Sequence, residues 1–161
     1  MVSRRQLIQG TLSSHRESFY PPWSLPAERF VELCSRCDDC INSCPQHILK
    51  KNAQGYPVVD YTRAGCTFCA KCAEVCKTGS LSLMAYIGAE PWPVKAVVTE
   101  FCVNYQGTVC QMCASGCAQN AIRFVVQTGS IAVAEVDPEL CNGCGDCYRS
   151  CPKQAIDIKP V

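Results

Sequence analysis

The chain has 161 residues, 16 of them cysteine, with 15 basic and 14 acidic side chains and a formal net charge of +1. Hydrophobic residues reach 48% only with the thiols included, and charged residues make up 18%, below the roughly 25% of an ordinary soluble domain. That balance excludes a large α/β enzyme with a deep apolar core and excludes disorder, leaving small, loop-rich units held by cysteine chemistry.

The N-terminal stretch from Met1 to Arg16 places Arg4 and Arg5 before an apolar run that is too short and broken for the roughly 7–15-residue core of a secretion signal. No segment approaches the ~18 uncharged apolar residues of a membrane span. The longest candidate, Leu81 to Val98, is interrupted by Glu90, Pro91, Pro93 and Lys95. The expectation is a cytoplasmic chain with reduced thiols and no membrane insertion, which turns the cysteines from disulfides towards metal.

The cysteines fall into four groups: Cys34, Cys37, Cys40 and Cys44; Cys66, Cys69, Cys72 and Cys76; Cys102, Cys110, Cys113 and Cys117; Cys141, Cys144, Cys147 and Cys151. Groups one, two and four read C-x2-C-x2-C-x3-C without deviation. In the third the leading cysteine lies at 102, where the pattern would place Gly107. The groups form an internal repeat that organises nearly everything after residue 30.

Three thiolates at i, i+3 and i+6 of a wrapped loop can face one concave space and hold three corners of an iron–sulfur cubane, with backbone N–H groups turned inward to the sulfurs. The fourth cysteine is expected to begin the following helix and to ligate the other cluster of a pair. The motifs then work two at a time, giving up to four [4Fe–4S] clusters. Structural zinc, the first alternative, usually takes two C-x2-C pairs a dozen or more residues apart. A disulfide framework, the second, lacks its secretion signal. For Cys102 the alternative to a ligand of the third cluster is a buried small hydrophobe.

Between the motifs, helix-like stretches are expected after each fourth cysteine, at Pro45–Leu49, Lys77–Leu81, Ala118–Ile122 and Pro152–Ile156, with proline suited to a first helical turn. Strands are expected at Val58–Tyr61 after the turn at 52–55 and at Val97–Thr99. Phe124–Val126 and Ile131–Ala134 flank Thr128-Gly129-Ser130 as a hairpin, and Ile156–Ile158 closes the chain. Gly143 and Gly145 permit tight wrapping of the last cysteine loop.

This arrangement resembles the bacterial-type ferredoxin fold with two [4Fe–4S] clusters, present twice: an α+β chain of tandem ferredoxin-like units. The first unit spans 27–86 and the second 95–161, with 87–94 as linker and 1–26 as an N-terminal tail. If motifs pair with their sequence neighbours, cluster one takes Cys34, Cys37, Cys40 and Cys76, and cluster two takes Cys66, Cys69, Cys72 and Cys44. Cluster three takes Cys102, Cys110, Cys113 and Cys151, and cluster four takes Cys141, Cys144, Cys147 and Cys117. The other arrangement pairs the outer motifs and the inner motifs. The short connection between motifs one and two favours neighbours.

No catalytic constellation accompanies the cysteines, so the expectation is a protein that is not an enzyme. His15 and His47 read as surface or partly packed histidines, and no glycine-rich phosphate loop is present. Nor is there a basic stripe with interleaved aromatics, which argues against nucleic acid. Each oxidised cubane with its four thiolates adds roughly −2, so the metallated chain would carry about −7.

The residues of the tail and of the third motif carry a closer resemblance. Ser3-Arg4-Arg5-Gln6-Leu7-Ile8 looks like a degenerate twin-arginine export motif without its apolar continuation. It is followed by Tyr20-Pro21-Pro22-Trp23-Ser24, the Cys34–Cys44 group, Gly55-Tyr56-Pro57 and the displaced Cys102–Cys110 spacing. Together these resemble the NapF family, the ferredoxin-type accessory proteins of periplasmic nitrate reductase, over almost the whole chain. Motifs two and three depart from a proline after the last cysteine, carrying Lys77 and Ala118, which alters no ligand.

The resemblance implies a cytoplasmic iron–sulfur protein that binds the catalytic subunit, NapA, before export and assists its maturation. The alternative is a general ferredoxin-type electron carrier relaying electrons through four [4Fe–4S] clusters. Residues 1–26 set Arg4, Arg5 and Arg16 against the single acid Glu17 and include Phe19, Tyr20 and Trp23, so they read as a docking segment or as a solvated terminus.

Overall fold

Every regular element is short, because the cysteine loops interrupt the chain every few residues. The computed structural model describes residues 19–88, 90–126 and 132–161. The arginine motif of Ser3 to Ile8, His15 and the hairpin tip Thr128-Gly129-Ser130 with Ile131 lie outside the described residues.

Helix α1 (Ala27–Leu33) starts behind Pro26 with Glu28 in its first turn, where an acid complements the helix dipole. Its apolar face turns Phe30, 0% exposed, against Tyr20, the ring centroids 4.2 Å apart. Helices α2 (Asp39–Ser43), α3 (Lys71–Glu74), α4 (Met112–Ser115) and α5 (Asp146–Ser150) each carry the third cysteine of a group.

The helices therefore precede the fourth cysteine, and the expectation that they follow it is corrected. Cys44 and Cys151 close α2 and α5 in extended conformation, so Pro45 and Pro152 stop a helix instead of opening one. The residues after the fourth cysteines form turns. Three positions beyond each one, His47, Gly79, Asn120 and Gln154 take positive φ of 51°, 71°, 51° and 51°. In each case that residue's amide donates to the carbonyl of its cysteine. A left-handed residue cannot sit inside a right-handed helix.

Among the described residues, three two-stranded antiparallel sheets accompany the helices. β1 (Leu49–Lys51) pairs with β2 (Pro57–Val59) around a turn in which the Asn52 side-chain oxygen Oδ1 accepts from the amides of Gln54 and Tyr56. β4 (Ile122–Val126) pairs with β5 (Ala132–Val136) as the expected hairpin, the strand starting at Ile122 where a helix end was expected. β3 (Val94–Val98) pairs with β6 (Ile156–Pro160), bringing Val98 opposite Ile156 across the whole second half.

The first half repeats that closure in miniature. Ser24 bridges Leu81, with Leu25 donating to Ser80 and Ser82 donating to Trp23. Each half thus encloses two short helices and a hairpin between a closing pair, the α+β ferredoxin-like plan in tandem. Residues 19–26, grouped with the tail by sequence, are built into this closure: Pro21 and Pro22 are fully buried, and the Phe19 carbonyl accepts from the Val59 amide.

The halves share one apolar core. Trp92 is buried between them, edge-on to Tyr61 and Phe68, and its indole N–H donates to the Asn142 carbonyl. No helix among the described residues is long and apolar enough to cross a membrane.

Candidate metal centre

In groups one, two and four the residues on either side of the second cysteine are left-handed: Arg36 and Asp38, Phe68 and Ala70, Gly143 and Gly145. Such a backbone turns successive N–H groups into the loop as an anion-binding nest. The Phe68 amide donates to Cys66 Sγ at 3.4 Å in this way. Four of the six positions carry side chains that pay a steric cost for this conformation. At Gly145 glycine is also a matter of space, since a Cβ there would overlap the Tyr61 ring.

The third loop is built differently. Gln111, which follows its second cysteine, has φ −133° instead of a left-handed value. From Cys102 the chain runs through a 3₁₀ turn at Val103–Gln106 that Gly107 ends at φ 82°. Asn104, 3% exposed, ties this longer loop down. Its Nδ2 donates to the Ala132 carbonyl at 2.7 Å, and its Oδ1 accepts from the Cys110 amide at 3.1 Å.

The cysteines gather by neighbouring motifs. α2 packs on α3 and α4 on α5. Burial pushes the Cys40 thiol up to about 12, with Cys34, Cys37 and Cys76 acting in the same direction. Burial likewise pushes Cys66 and Cys72 up to about 12, with Cys44 acting in the same direction on both. Cys44, Cys66, Cys69 and Cys72 line one pocket. Cys102, Cys110, Cys113 and Cys151 line a second. Cys147 is raised by burial and then by Cys144, Cys141 and Cys117.

Cys76 is the exception. Burial works upward there, but hydrogen bonds with the Ser80 hydroxyl, the Leu81 amide and the Thr78 hydroxyl outweigh it and hold the thiol below its ordinary value. Nothing in the spacing pointed to Ser80, Thr78 or Asn104. They follow from side chains that meet only once the loops are folded. His47 is exposed, as a surface histidine should be.

Ionising thiols this close sets like charges against one another, and cations among them relieve that repulsion. Among the described residues no three Cys, His, Asp or Glu side chains close on a single-ion site. The sulfurs stand instead around spaces, and a set of soft thiolates about a space fits an iron–sulfur cubane.

Comparison with known proteins agrees. The model of a 4Fe-4S dicluster domain matches residues 33–81, and that of a 4Fe-4S binding domain matches residues 133–156. The ferredoxin-type protein NapF of Escherichia coli strain K12 is 36% identical over 155 residues, covering 96% of this chain and 93% of the relative. NapF of Haemophilus influenzae is 36% identical, covering 99% and 95%. The ferredoxin-type protein NapG of Escherichia coli strain K12 is 29% identical, covering 96% and 76%. The cofactors of this chain are [4Fe–4S] clusters.

Proposed function

The chain belongs to the NapF family of ferredoxin-type proteins, and from that premise we propose that it binds the cytoplasmic precursor of the periplasmic nitrate reductase catalytic subunit, NapA, and assists its maturation before export. The observation that carries this reading is the match to NapF proteins over 96% of the chain, ends of the cysteine array included. The role is that of an accessory protein in the cytoplasm, without catalysis, nucleic acid or membrane insertion.

The ligand sets belong to the same proposal. Cys34, Cys37, Cys40 and Cys76 hold cluster one; Cys66, Cys69, Cys72 and Cys44 hold cluster two. Cys102, Cys110, Cys113 and Cys151 hold cluster three; Cys141, Cys144, Cys147 and Cys117 hold cluster four. The dicluster match over 33–81 supports pairing of neighbouring motifs within a first unit at 27–86, with 95–161 as the second. The clusters supply one-electron storage, and the protein supplies the thiolates, the amides turned to them and the surface that meets the partner.

Capture from anaerobic cells tests the reading. The full chain should retain unexported NapA, and a chain lacking residues 1–18, with Arg4, Arg5 and Arg16, should retain less of it at unchanged iron content. Normal nitrate reductase activity in cells without the protein would overturn a required role in maturation. A second reading, a general electron carrier, is favoured by the contact between the cysteine loops of the two halves, where the Cys66 amide donates to the Cys144 carbonyl at 2.7 Å. On that reading the shortened chain supports the enzyme normally.

A further inference from the structure

The two halves meet at their cysteine loops as well as at Trp92. Beside the Cys66–Cys144 hydrogen bond, Gly65 leaves no room for a side chain: a Cβ there would meet the Asp146 carboxylate and the Cys144 carbonyl. Tyr61, 6% exposed, fills the same seam. Its hydroxyl donates to the Gly143 carbonyl at 2.8 Å, its ring lies against Gly145, and it packs on Trp92 and Tyr148 with centroids 6.2 and 6.1 Å away. The cysteines acting on Tyr61 are Cys66 from the first half and Cys144, Cys147 and Cys141 from the second.

This seam joins the second and fourth cysteine groups. Within the first half, α2 with Cys40 of the first group packs on α3 with Cys72 of the second. Within the second half, α4 with Cys113 of the third group packs on α5 with Cys147 of the fourth. The groups follow one another in the chain as one, two, three, four. In space they run one, two, four, three.

We propose that the chain is a single electron-conducting series in that spatial order, with the step between halves taken across the Cys66–Cys144 seam and Tyr61 as the positioning residue that holds the seam closed. This rests on the ligand sets proposed above. With clusters bound, Cys66, Cys69, Cys72 and Cys44 on one side and Cys141, Cys144, Cys147 and Cys117 on the other would hold the two redox groups between which one electron would pass, one group oxidised and the other reduced by one electron, with no bond made or broken and no proton moved. The demand on the protein at the seam itself is proximity, since electronic and magnetic coupling both fall steeply with separation. Gly65 and Gly145 let the two backbones approach, and Tyr61 replaces water between them with a packed ring.

The test uses the full chain, reconstituted anaerobically and reduced with dithionite, with iron and sulfide measured beside electron paramagnetic resonance. Spin coupling between halves should survive Cys37→Ala, which removes cluster one, and disappear with Cys69→Ala, which removes cluster two. Tyr61→Leu should weaken that coupling at unchanged iron content, and Tyr61→Phe should restore most of it. Coupling that survives Cys69→Ala, or is indifferent to Tyr61→Leu at full iron content, overturns the series. A wild-type chain without iron–sulfur at the two central groups overturns the ligand sets, and the series with them.

Discussion

The hydroxyl of Ser80, a residue 2% exposed, lies 3.3 Å from Cys76 Sγ. Thr78 Oγ1 stands 3.6 Å from the same sulfur, and the Leu81 amide donates to it at 3.4 Å. At the equivalent places in the second half, Cys117 and Cys151 each accept one amide, from Ala121 and Ala155. Hydrogen bonds to a ligating sulfur favour the reduced, more negative cluster and raise its potential.

Replacing Ser80 with alanine should therefore lower the midpoint potential of one cluster and leave the others in place. Adding Thr78→Val should lower it further. A redox titration followed by electron paramagnetic resonance reads both variants against the parent, and unchanged midpoints would show that Cys76 does not ligate a cluster that these hydroxyls tune.

Iron content addresses the irregular third group. Sixteen thiolates at four per cubane imply about 16 iron per chain after anaerobic reconstitution. Cys110→Ser and Cys102→Ser should each drop this towards about 12. Asn104→Ala frees both the Cys110 amide and the Ala132 carbonyl, so it should make the third cluster the first lost in air. Full iron in Cys102→Ser would return that residue to a packing role.

The thiols set a pH dependence for the stripped chain. Cys40, Cys66 and Cys72 stand at about 12 in the fold against an ordinary 9.0, with Cys76 alone shifted the other way. A folded state that holds these protons more tightly than the unfolded chain keeps its stability below the ordinary value and loses it as pH climbs towards the raised ones. After chelation under reducing conditions, near-ultraviolet circular dichroism should fade and amide exchange accelerate between about pH 9 and about pH 12. The metallated protein, whose thiolates carry iron in place of protons, should stay unchanged through the start of that range. A stripped chain equally stable across it would contradict the burial of these thiols.

Phe30 offers a test of packing at a buried residue that is no ligand itself, one helical turn before Cys34. Truncation to alanine at a fully buried ring removes about 3–5 kcal/mol, and here it also leaves Tyr20 with Tyr56 as its remaining ring contact. The urea concentration at which the cluster absorbance bleaches should fall, while iron content before denaturation stays that of the parent.

Local chemistry was legible in the residues themselves. Cysteines three apart on a wrapped loop face one space whatever surrounds them, so the thiol sets, the iron–sulfur reading and the repeat could be read directly. The hairpin pairing of β4 with β5 was legible for a similar reason, being local and backed by β-branched residues on both sides. The helices were placed on the wrong side of the fourth cysteine because His47, Asn120 and Gln154 carry no mark of their left-handed backbone. Ordinary residues adopt it there because the turn aims the next amide at the cysteine, as Ala121 and Ala155 show.

What the sequence determined by itself was thus the iron–sulfur chemistry and the four cysteine groups that repeat along the chain, whose local geometry depends on spacings of three and four residues. What only the tertiary structure decided was which groups are neighbours in space, which sulfur carries extra hydrogen bonds, and that the chain from Phe19 belongs to the first half. Tyr61 and Gly143 are 82 positions apart, and Ser24 meets Leu81 across the entire first unit. Contacts of that range are selected by shape and burial, where a buried ring against a glycine or a satisfied carbonyl excludes every competitor, and residue spacing along the chain carries no trace of them.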